Sequence, residues 1–221
     1  MIAIRTNFNK EVGLGHIFRM RILAKELSKK SKLIFFLDKY DELVEKILNY
    51  DCEYIYKKGQ KFTSQNEDAL ILKGKIKNKS IDSIIIDDYR LNYKWEKVFY
   101  KKIPLVVFDD NNYSKHYCDL IVDAKWKGKF TYKRYNQLVN KNTIKLLGPK
   151  YSLIDVVKKK NKKASFNILF YIGGGGDFKK YIEFLICLSK KIKNKKNYKI
   201  KIICGPLAAS KKSLFEINDA N

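Results

Sequence analysis

Met1-Ile-Ala-Ile-Arg5-Thr-Asn-Phe-Asn-Lys-Glu-Val-Gly13-Leu-Gly15-His16-Ile-Phe-Arg19 decides the fold. A short apolar run at residues 2–4 passes through polar residues and a turn with two glycines. It then enters a segment where Ile17, Met20, Leu23, Ala24 and Leu27 recur at helical spacing. Strand, glycine turn and helix in that order open a parallel α/β unit. Ligands of open α/β sheets bind outside the carboxyl ends of the strands, which is where this turn lies. Gly13 and Gly15 let backbone N–H groups approach an anion, and the helix start adds partial positive charge. The same charge favours a neutral His16, the form a general base requires. The plainer alternative is a histidine that caps the helix.

Working outward, residues 33–37, 84–86, 105–108 and 120–122 read as buried strands, and residues 16–29, 40–48, 67–77 and 93–101 as amphipathic helices. The alternation predicts a Rossmann-like parallel sheet wrapped by helices, an N-terminal domain over 1–154. A polar, tyrosine-rich stretch at 125–142 interrupts the pattern. The charged run around 158–163 reads as a linker, 155–165. A second α/β unit then starts with a strand at 166–172, the turn Gly173-Gly-Gly-Gly176, a helix over about 178–193 and a strand at 199–204. Only about 55 residues of that unit are present, so 166–221 is expected to be the beginning of an incomplete second Rossmann-like domain.

The 47 Lys and Arg against 23 Asp and Glu leave a formal net charge of +24, a field that attracts phosphorylated substrates, anionic lipid or nucleic acid. Only Arg5, Arg19, Arg21, Arg90 and Arg134 are arginines, whereas dedicated base readers favour arginine forks. Nucleic acid is therefore a disfavoured partner. Cys52, Cys118, Cys187 and Cys204 lie far apart, without the paired spacing of a zinc site, and read as reduced thiols. The apolar runs are far shorter than a membrane span, and no signal peptide is evident. The expectation is a cytoplasmic protein with no membrane insertion.

Neither glycine turn is a common nucleotide fingerprint: Gly13-x-Gly15-x-x-Phe18 and Gly173-x-Gly175-x-x-Phe178 both lack the third glycine. Four consecutive glycines still permit close approach to a phosphate or a facing domain. In Ile84-Ile-Ile-Asp87-Asp88-Tyr89, the acidic pair ends a strand on the same sheet edge as the first turn, so Tyr89 is expected to face His16. Asp87-Asp88 and Asp109-Asp110 look like metal-binding doublets. Adjacent residues on an extended chain point to opposite faces, however, so the sites read as metal-free.

Together these residues resemble the UDP-sugar hydrolase of pseudaminic acid biosynthesis, which removes UDP from UDP-2,4-diacetamido-2,4,6-trideoxy-β-L-altropyranose. The resemblance is carried, in order, by Arg5, Gly13-Leu-Gly-His-Ile-Phe-Arg19, Ile85-Ile-Asp-Asp-Tyr89, Phe108-Asp-Asp110, His116-Tyr-Cys-Asp-Leu120, Leu147-Gly-Pro-Lys-Tyr-Ser-Leu153 and Gly173-Gly-Gly-Gly-Asp177. It implies a GT-B-like α/β fold and a UDP-sugar substrate, with no metal or other cofactor. It also implies that His16 activates water at the anomeric carbon and that Tyr89 lines the sugar site. Substrate contacts are implied for Arg5, Asn7, Gly13, Gly15, Arg19, Asp88, Gly174, Gly175, Gly176 and Asp177. Three positions depart from the family pattern: Asn7 replaces a common acidic residue, Asp88 a frequent histidine and Gly176 a frequent threonine. Two rival readings are a GT-B glycosyltransferase of surface polysaccharide biosynthesis and a truncated, non-catalytic binding module.

Overall fold

Seven strands form a wholly parallel sheet: β1 (Ile2–Thr6), β2 (Leu33–Leu37), β3 (Cys52–Tyr54), β4 (Ser83–Asp87), β5 (Leu105–Phe108), β6 (Leu120–Asp123) and β7 (Ile144–Leu147). Their spatial order in this computed structural model is β3-β2-β1-β4-β5-β6-β7. The structure describes residues 1–9, 12–111, 114–155, 166–171, 175–177, 181–192, 198–203 and 207–209. Between strands run α1 (Gly15–Leu27), α2 (Glu42–Leu48), α3 (Gln65–Ile76) and the single turn α4 (Tyr93–Glu96). The fold is the α/β, Rossmann-like parallel sheet expected from the alternation of apolar runs and helical stretches.

The chain winds outward from β1 through β2 to β3, then returns to lay β4 against the other side of β1. The strand order therefore reverses between β1 and β4, where Thr6 pairs with Asp87 at the carboxyl ends. Crevices of open α/β sheets form at such switch points.

The pleat sends alternate residues to opposite faces. Ala3, Ile84, Ile86, Leu105, Val107 and Ile121 join Leu72 and Ile76 of α3, Trp95 of α4 and Phe99 in one buried cluster. On the other face, Ile85, Val106 and Phe108 line a cavity of about 430 Å³ together with Leu23 and Leu27 of α1.

Two strands carry no apolar run in the sequence. β3 is a three-residue outer strand and β7 closes the opposite edge, with Ile144 and Lys145 exposed. The helix expected over 93–101 stops after Glu96. From there Val98 N–H donates to Trp95 O and Phe99 N–H to Glu96 O, a tighter i→i+3 pattern, and Lys101 takes a left-handed φ of 62°.

Backbone contacts divide the chain into two compact units, Met1–Asn7 with His16–Asp155, and Phe8–Gly15 with Val156–Asn221. In the second, β8 (Phe166–Tyr171) pairs in parallel with β10 (Tyr198–Ile203), and α5 spans Ile182–Ile192. The glycine turn expected at 173–176 is in part a strand: β9 (Gly175–Asp177) pairs with β11 (Leu207–Ala209). Unhindered by side chains, the two glycines lie extended there. Apart from Asp155, the expected linker 155–165 lies outside the described residues.

Candidate active site

His16 is the second residue of α1 and is buried. Its Nδ1 lies 2.6 Å from Asp87 Oδ1, at the end of β4. Asp87 also accepts from Arg19 Nε at 3.0 Å and from Arg19 Nη2. Arg19 sits one helical turn beyond His16, so both side chains project toward the same carboxylate. An ionised Asp87 orients the ring by accepting its Nδ1–H, which leaves Nε2 with the lone pair. This is the arrangement by which a buried aspartate directs a histidine base.

Arg19 reaches further, donating from Nη1 to Asp110 Oδ2 at 2.8 Å. Tyr89 donates its hydroxyl to the same oxygen at 2.6 Å. Its ring meets that of His16 edge-on, with centroids 4.6 Å apart. Burial and the bond to Asp110 push the phenol above its ordinary value, so Tyr89 is a neutral donor and not a base. Burial opposes the ionised form of Asp110, but Arg19 and Tyr89 together hold its carboxyl below the usual range.

The pleat separates the acidic doublets. Asp87 and Asp110 share the α1 side with Ile85 and Phe108, while Asp88 and Asp109 fall on the opposite side. Asp88 binds Arg90 Nε at 2.9 Å, and Arg90 also clamps Asp38 through Nη1 and Nη2 at 2.8 and 2.9 Å. Asn7, with its amide oxygen turned to Arg90, accepts from Nε and Nη2 at 3.0 Å each. Arg5 is fully buried beside this group. It donates to both oxygens of Asp68, to Asp38 and to the carbonyls of Thr6 and Phe36. Those bonds use all five of its N–H donors. Tyr56 and Trp95 complete the shell of Asp68, each at 2.7 Å.

Asp109 faces His116 instead. The His116 ring is held by Glu96 Oε1, 2.6 Å from Nδ1, while Nε2 stands 3.3 Å from Asp109 Oδ2, off the line of a hydrogen bond. Burial disfavours a charged imidazole, yet Asp109 and Glu96 outweigh it and push His116 up to about 9. A cavity of about 60 Å³ lies between this ring and Asp88 and Tyr89.

Gly13 takes a left-handed φ of 74°, and its N–H donates to Asn9 O at 2.8 Å, closing the turn on itself. A Cβ at Gly15 would meet nothing within 4 Å, which leaves the backbone at the start of α1 accessible. Gly175, Gly176 and Asp177 form β9, whereas Gly174 lies outside the described residues. Among the described residues, no three His, Cys, Asp or Glu side chains group to hold a metal ion, and no helix is long and apolar enough to cross a membrane.

Sequence reasoning missed Arg90, Asp38, Asp68 and Asp110 as members of these clusters. Two signals pointed to them. Arginine is scarce in this lysine-rich chain, and Arg5, Arg19, Arg90 and Arg134 all form ion pairs. Asp110 stands two residues beyond Phe108, on the same side of the pleat as Asp87.

No protein-family model matches the chain. An uncharacterized protein of Methanocaldococcus jannaschii is 30% identical over 224 residues, an alignment covering 93% of this chain and 42% of that protein. The chain thus spans less than half the length of this curated relative. MurG of Acinetobacter baumannii superposes with a TM-score of 0.60 at 13% identity, over 99% of this chain and 62% of that one. MnaA of S. aureus, solved with UDP, gives 0.55 at 12% identity, over 99% and 65%. These likenesses establish the fold as the Rossmann-like α/β type of GT-B proteins such as MurG.

Proposed function

We propose that the chain belongs to an enzyme that hydrolyses a UDP-activated diacetamido-trideoxy sugar, releasing UDP and free sugar on the route to a nonulosonic acid such as pseudaminic acid. The observation that carries this reading is the His16–Asp87 pair at the switch point of the sheet. The fold shared with MnaA, a protein solved with UDP, supports a nucleotide sugar as the ligand.

In this mechanism His16 Nε2 takes a proton from water as the water oxygen bonds to the anomeric carbon. The bond from that carbon to the UDP oxygen breaks, and the leaving diphosphate carries away the electron pair. Asp87 stabilises the imidazolium that forms. Backbone N–H groups at Gly15 and the start of α1 favour the departing negative charge, while Gly13, its own N–H bonded to Asn9 O, shapes the turn. Tyr89 orients the sugar beside the imidazole. Asp88 and Asn7 act through Arg90, and Arg5 acts by positioning, since the protein itself uses all its donors. Gly174, Gly175, Gly176 and Asp177 are proposed nucleotide contacts.

The test is UDP release from the UDP-sugar with no acceptor present, measured on the gene product that contains this chain. The expected result is turnover giving a reducing sugar, with His16→Ala slower by about a hundredfold to ten-thousandfold. Wild-type turnover by His16→Ala would remove the catalytic assignment. Release that depends on an added acceptor would make the enzyme a transferase.

A further inference from the structure

The outward side chains of the tyrosine-rich stretch have no part in the site described above, and the surface they form is unusual. From residue 124 to 154 the sequence holds eight Lys or Arg and no Asp or Glu. Within seven residues of this stretch, Trp126, Phe130 and Tyr132 are 63%, 62% and 60% exposed, and Lys125, Lys127, Lys129 and Lys133 are exposed among them. Ile144 on β7 and Ile154 are also exposed. Scattered apolar side chains need no explanation, but large aromatics gathered among lysines mark an interaction surface.

The stretch is anchored from beneath. Tyr135 is fully buried, with its hydroxyl 2.7 Å from Asp109 O and 3.0 Å from Asp123 Oδ2. Arg134 pairs with Asp123 at 2.8 Å and donates to Lys125 O at 2.8 Å. The buried Thr131 donates to Gly128 O and accepts from Lys127 N–H, both at 2.8 Å. Thr131, Arg134 and Tyr135 are thus tied down, while Trp126, Phe130 and Tyr132 on the same stretch stay exposed. Presenting them costs little further ordering on binding.

We infer that residues 125–134, with Trp126, Phe130 and Tyr132 at their centre, dock this protein on the surface of an anionic lipid bilayer. The charge is complementary to acidic headgroups, each nearby Lys contributing about 1 kcal/mol of attraction. Tryptophan and tyrosine are the side chains that settle at the headgroup boundary, with one end apolar and the other wet. Lysine point charges suit headgroups, whereas nucleic-acid readers rely on arginine forks, and the one arginine of the stretch is committed to Asp123.

The chain has two tryptophans, and Trp95 is fully buried, so a change in emission on binding reports Trp126. The experiment mixes the 221-residue chain with vesicles of phosphatidylcholine containing phosphatidylglycerol, with vesicles of phosphatidylcholine alone, and with DNA oligonucleotides, reading emission and co-sedimentation. The expected result is blue-shifted emission and salt-sensitive sedimentation with the anionic vesicles only. The Trp126→Ser/Phe130→Ser/Tyr132→Ser variant keeps every lysine and is expected to bind about tenfold more weakly, with an unchanged circular dichroism spectrum. Lys127→Glu/Lys129→Glu is expected to lose at least about twentyfold at low salt. Triple-variant sedimentation equal to wild type, unshifted Trp126 emission on anionic vesicles, preference for DNA over vesicles, or a lipid-free dimer that shields Trp126 would each overturn the proposal.

Discussion

His116 sits between two carboxylates, and its charge is part of what ties Glu96 at the end of α4 to Asp109 just after β5. Its value in the folded protein, about 9, lies above the ordinary 6.5. The stabilisation is therefore complete below about pH 6.5 and is lost as the pH rises through about 9. Unfolding free energies from urea titrations between pH 6 and 10 should fall by roughly 2 to 3 kcal/mol across that window, and His116→Gln should flatten the fall. Asp87 has a different duty. Asp87→Asn keeps the size of the side chain but removes the charge that steadies His16 and Arg19. The proposed UDP release should slow by about a hundredfold or more in kcat, with a smaller change in KM. An equal loss in kcat/KM through KM alone would place Asp87 in binding instead.

Helix ends and sheet edges behave as local chemistry dictates. Asp41 caps α2 by accepting Val44 N–H at 3.1 Å, and Asn49 closes the same helix in a left-handed conformation. Asp41→Ala should cost about 1 kcal/mol, read as a lower melting temperature, with the sheet unaffected. The inner strands were legible because both faces are buried and each reads as an apolar run. β3 and β7 were not, since an outer strand needs only one apolar face. β7 exposes Ile144 and Lys145, a charged edge that also discourages pairing with other chains. The helix at 93–101 failed for another reason: its apolar spacing suits a run of tight turns as well as a helix, and the left-handed Lys101 decides between them.

Residues 1–155 contain all seven strands of the large sheet and its buried cluster. A chain of this size buries enough surface to fold unaided. Expressed alone, it should give an α/β circular dichroism spectrum and a single cooperative melt; a broad, non-cooperative transition would show that its core depends on the remainder of the protein. The sequence by itself determined the inner strands, the first three helices and the alternation that parts Asp87 from Asp88 and Asp109 from Asp110, because period and pleat are local properties of the chain. It also placed His16 and Tyr89 at one edge, from their positions just beyond strand ends. Only the tertiary structure decided the strand order, and with it that Asp87 is the partner of His16. The pairs Arg5–Asp68, Arg90–Asp38 and His116–Glu96 were likewise made by folding, since with His16–Asp87 they join residues 20 to 71 positions apart, and no local pattern encodes such a contact.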